Sequence, residues 1–170
     1  MKKLLILALG AMLLAACGPN RDKELENITN HEQEISVLNV ASDIEKAHEM
    51  MNLYRQFVAD FPDDSLAPVF MLRMAEINLN MGESEQAVAI LDSIIDLYPG
   101  FEEVGGCQFL KGQAYEANQQ YDLAREAYTE FVEKYPDHYL AADTRKMLPY
   151  VGLTPEEQLE AILDSAEPED

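Results

Sequence analysis

Between Ala47 and Phe61 the large apolar groups recur at steps of three and four: Ala47, Met50, Met51, Tyr54, Phe57, Val58 and Phe61. Such spacing lines one broad face of an α-helix. Ser42 can cap its start, and Glu45, three residues on, completes a capping box. Pro62 ends it, because proline disfavours the α region for the residue before it. A second helix is predicted over 64–82. Pro68 lies in its first turn, where a missing N–H costs little, and Gly82 stops it. A third runs from Glu83 to Pro99 on a face of Ala87, Ile90 or Leu91, Ile94 and Leu97 or Tyr98. Residues 103–120 and 121–136 repeat this pair, with a polar turn around Asn118–Gln120 that lacks glycine. A short helix over Leu140–Leu148 is stopped by Pro149. Thr154, Pro155 and Glu157 then open a last helix as cap, first position and closing acid. Its stripe of Leu159, Ile162 and Leu163 is expected to lie over the end of the preceding helices. Period-two alternation never lasts, so the chain reads as all-α.

The pattern repeats at a fixed distance. Pro62, Pro99 and Pro136 stand 37 residues apart, each behind an aromatic: Phe61, Tyr98 and Tyr135. At that period Ala75 falls on Gly112, Ala87 on Ala124, Leu91 on Tyr128 and Ile94 on Phe131. Tyr54 and Phe57 extend the register into the first helix. One helix pair cannot bury its apolar face alone, so such units stack, usually about three or more. The unit resembles the tetratricopeptide repeat, in which a small residue of helix A packs on a small residue of helix B and a proline closes the unit. Residues 110–136 fit best, through Gly112, Tyr115, Tyr121, Ala124, Tyr128 and Pro136. The resemblance implies a short α-solenoid of antiparallel helix pairs with a C-terminal capping helix. Three features depart from it. The period is 37, not the family's usual 34; Met71 and Gln108 stand where tryptophan is usual; the first unit shows only its helix B. Long units ending in aromatic–proline look like the subgroup in BamD-like outer-membrane lipoproteins and Tol–Pal-associated periplasmic proteins.

The N-terminus has a different pattern. Lys2 and Lys3 precede a 13-residue apolar run, Leu4–Ala16. That is short of the roughly 20 residues needed to span a bilayer and has the length of a secretory core. Leu14-Ala15-Ala16-Cys17 resembles a bacterial lipobox. The resemblance implies cleavage after Ala16 and acylation of Cys17; the alternative is an ordinary signal peptide with a chance cysteine. Gly18 follows Cys17 where an aspartate would signal inner-membrane retention, which by family analogy implies the outer membrane, facing the periplasm. Residues 18–35 hold only Leu25, Ile28 and Ile35 as large apolar groups and read as a tether, with some helix not excluded. The division is therefore leader 1–16, anchored tether 17–41, repeat domain 42–150, and capping helix with acidic tail 151–170.

Charge and chemistry narrow the function. The formal net charge is −20, and loss of Lys2 and Lys3 with the leader leaves −22. Such acidity opposes nucleic acid, whose phosphates need Lys and Arg, and opposes adsorption to anionic lipid. Attachment to a membrane would come from acyl chains on Cys17. Cys107, in an apolar helix without a nearby His or Arg, reads as a small buried hydrophobe more readily than as a reactive thiol. His31, His48 and His138 form no zinc-type pair, and Val104-Gly105-Gly106 is no phosphate loop. No metal, cofactor or catalysis is expected. What remains is a binding surface, and the A helices offer Leu72, Glu76 and Leu79 with Phe109, Gln113 and Glu116 one unit on. Apolar groups with a few acids suit a peptide with basic or apolar side chains. Alternatively Leu72, Leu79 and Phe109 are ordinary core. Two functions follow: an adaptor holding another envelope protein or peptide, or an accessory lipoprotein binding a small ligand or glycan.

Overall fold

The computed structural model describes residues 18–37 and 44–166, without the side chains of 34–37 and 164–166. The leader, Ala16, Cys17 and the Ser42 cap lie outside them. Every regular element among the described residues is helical: α1 (Arg21–Val37), α2 (Ile44–Asp60), α3 (Ala67–Asn80), α4 (Ser84–Leu97), α5 (Val104–Ala117), α6 (Tyr121–Lys134), α7 (Ala141–Met147) and α8 (Pro155–Ala166). A 3₁₀ turn, Leu148–Tyr150, follows α7. Consecutive helices pack as hairpins, α1 on α2, α3 on α4 and α5 on α6, and α4 also packs on α5. The result is a short α-solenoid with a C-terminal helix.

Helix α1 corrects the tether reading over 21–37. It supplies the helix A that the first unit lacked. Ile28 is 2% exposed against α2, with Leu25 half-buried beside it. Polar bonds do the rest. Arg21 pairs with Asp64 in the α2–α3 connector. Glu32 accepts the Tyr54 hydroxyl at 2.7 Å and also takes the Arg73 guanidinium.

The repeat geometry follows from residue size. Phe57, Ala75, Ala87, Leu91, Ile94 and Cys107 are fully buried in one core, and Ala124, Tyr128 and Phe131 are buried in the next unit. A Cβ on Gly112 would lie 2.4 Å from a Tyr128 ring carbon, so only glycine lets α5 approach α6 here. Asn78 and Gln108 are buried but bonded: Asn78 Nδ2 donates to Met74 O at 3.0 Å, and Gln108 Nε2 donates to Glu130 at 3.1 Å. The aromatic before Pro99 joins layers. Tyr98 Oη donates to the carbonyl of Pro62, at the previous connector, at 2.8 Å.

At the C-terminus the expected capping differs. The Thr154–Glu157 box forms, with Thr154 N–H donating to Glu157 at 2.7 Å. Yet Leu159 and Leu163 are each 58% exposed and Ile162 is 48% exposed, so this stripe is not buried over the stack. The 3₁₀ turn and Val151 fill that place. Val151 is 3% exposed against Ala124 and Tyr128, and its carbonyl accepts Arg125 Nη1 at 2.9 Å. The turn reaches the core first, and α8 starts only after Gly152 has redirected the chain at φ 81°.

Candidate functional site

The A-helix residues do not come together as one exposed apolar patch. Leu72 and Leu79 on α3 are half-buried against the core shared by the first two pairs. Phe109 on α5 is half-buried as well, its ring 5.5 Å from both Tyr128 and Phe131 of α6. Its aromatic faces are thus used within its own hairpin. Glu116 is half-buried and accepts the Tyr128 hydroxyl at 3.0 Å. Glu76 and Gln113, 37 residues apart, are exposed. The surface these helices offer is therefore polar, with an apolar layer just behind it.

Two cations that the apolar pattern does not mark sit on the same helices. Arg73 of α3 bonds Glu32 of α1 and raises the polar content of this face. Lys111 of α5 bonds Asp92 of α4 at 2.7 Å. A charge-only scan could have flagged them, but their partners lie 41 and 19 residues away, beyond any helical spacing. A cleft of about 540 Å³ at the start of α1 has a polar lining that includes Asn20, Lys23, Glu24 and Asn27.

The titratable groups in the core are placed for packing. Burial pushes the Cys107 thiol up to about 12, with Glu103 and Glu76 adding to the effect. A thiol held neutral in this way is a poor nucleophile. Burial likewise pushes Tyr54 up to about 12 and raises Tyr128, whose hydroxyl faces Glu116. His138 is used structurally. Its Nδ1 accepts the N–H of Leu140 at 3.3 Å, as Asp64 accepts that of Leu66 at 3.0 Å, and its ring meets Phe131 edge-on. Positions 64 and 138 are two periods apart and do the same work with different atoms.

Among the described residues, no group of three or more His, Cys, Asp or Glu could hold a metal ion, and no helix is long and apolar enough to cross a membrane. A family model for a tetratricopeptide repeat-like domain matches residues 33–147. A comparison with curated proteins found no match.

Proposed function

The chain belongs to the tetratricopeptide repeat-like family, and from that premise we propose that it is an adaptor that holds another envelope protein or peptide. It is anchored through acyl chains on Cys17 to the outer membrane, facing the periplasm, and serves envelope assembly or coordination. The observation that carries the adaptor reading is the stack itself. Three helix pairs with interlocked small and large residues form a rigid frame, and such a frame is typically a non-catalytic scaffold for protein partners. Glu76 and Gln113 are the exposed ends of the proposed contact face, with Leu72, Leu79, Phe109 and Glu116 holding it from behind. The anchoring part rests on the lipobox-like Leu14–Cys17 and on a surface too acidic to adsorb to anionic lipid unaided.

Crosslinking in the native envelope followed by capture of the chain and mass spectrometry tests the adaptor. A reproducible protein adduct is expected; its absence under conditions that crosslink other envelope complexes contradicts the reading. For the anchor, Cys17→Ser is expected to release the protein or leave it unprocessed. Unchanged fractionation and unchanged labelling by a fatty-acid probe would rule out acylation at this cysteine.

A further inference from the structure

The connectors between helix pairs form an edge of the solenoid that shares no residue with the A-helix face. The first connector carries Phe61-Pro62-Asp63-Asp64 and the second Tyr98-Pro99-Gly100-Phe101-Glu102. The bond from Tyr98 Oη to Pro62 O holds the two together and leaves a cleft of about 470 Å³ between them. Leu97, at the end of α4, is 69% exposed on its wall, and Tyr98 and Phe101 are half-buried in it. The lining carries three carboxylates and no lysine or arginine. Asp64 is used by Arg21, whereas Asp63 and Glu102 are exposed at the rim.

These features favour one kind of occupant. A large aliphatic group left in water beside two aromatic rings is stabilised by apolar cover. Carboxylates at the rim favour a cation, and an aromatic face attracts one as well. The negative end of the α4 dipole, at Leu97, adds to the same attraction. The whole chain, at −20, steers a basic segment toward it.

We propose that this cleft is a second docking site, for a protein segment that carries a lysine or arginine next to a large apolar residue. The cation lies between Asp63 and Glu102 against the Tyr98 or Phe101 ring, and the apolar side chain covers Leu97. The proposal rests on the adaptor reading, since it names the chemistry of a partner segment.

The test uses the full chain in nonionic detergent, with empty micelles as the blank, and a fluorescent alternating lysine–leucine hexapeptide read by anisotropy. Binding is expected to weaken about tenfold when glutamate replaces the lysines and when serine replaces the leucines, since both halves of the contact are needed. The protein pair Asp63→Lys with Glu102→Lys is expected to lose about tenfold, and Leu97→Ser alone several-fold, with the helical signal and melting midpoint unchanged because these side chains are exposed. Added salt weakens the complex, as screening requires. No binding of the lysine–leucine peptide, equal binding by the charge-reversed protein, or equal binding of the lysine–serine peptide each overturns the proposal. The last would leave only a diffuse acidic surface. Capture of an envelope partner is scored separately, so a failed cleft and a failed adaptor give different results.

Discussion

Gln119 holds a φ of 58°, one period after Gly82, which holds 77°. Both residues turn helix A into helix B. A left-handed conformation costs a non-glycine residue roughly 1–2 kcal/mol. Gln119→Gly is therefore expected to stabilise the fold by about 0.5–1 kcal/mol, after glycine's greater unfolded freedom is set against the relieved strain. A shift of the urea midpoint to higher concentration checks this; a shift downward would mean that the Gln119 side chain does more than turn the chain. The converse holds at the helix contact. Ala124 is fully buried, and Ala124→Leu is expected to cost about 1–3 kcal/mol by overpacking. Buried titratable groups give a sign as well. Unfolded, Cys107 and Tyr54 ionise near 9.0 and 10.0, but burial holds both up to about 12 in the fold. The unfolded state alone sheds those protons in between. Their contribution to stability is therefore full below about pH 9 and is lost as pH rises toward 12, which a series of denaturant midpoints across that range would follow. At this scale the sequence spoke clearly wherever size repeats. Ala75, Gly112, Ala87 and Ala124 declare themselves at the 37-residue period. It was silent on Gln119, because a glutamine gives no hint of positive φ, and ambiguous on Phe109, because an aromatic on a helix reads alike as anchor or core. With that ring packed on Tyr128 and Phe131, Phe109→Ala is expected to cost about 2–3 kcal/mol of stability.

The helices show a similar division. From α2 to α6, apolar spacing located each element to within a few residues, because their stability comes from one buried face. Helix α1 escaped that logic. It has few apolar groups, and its long-range bonds from Arg21 and Glu32 reach residues that no helical period connects. Among its described side chains Ile28 is the buried one, so Ile28→Ala, at about 2–4 kcal/mol, is expected to act locally. Hydrogen exchange should then speed up over 21–37 while α3 to α6 stay protected. Loss of protection throughout would show that the first pair is the nucleus on which the others depend. Helix α8 was located but not its packing. Its stripe is legible as Leu159, Ile162 and Leu163, yet nothing in a stripe says whether the chain reaches the core before it, and here Val151 does.

As a whole molecule the protein is a short stack in which each pair packs on its neighbours, on a strongly acidic chain. The stack was legible because repetition multiplies a weak signal; what it binds was not, because exposed residues obey no period. The proposed function places a protein partner on the A helices of this frame. The most direct measurement is site-specific photo-crosslinking in living cells from position 113 on α5, compared with position 85 on the outer side of α4, where Gln113 and Glu85 are both exposed. A discrete adduct with another protein is expected from 113 and none from 85. The same adducts from both positions, or none from either, would contradict it.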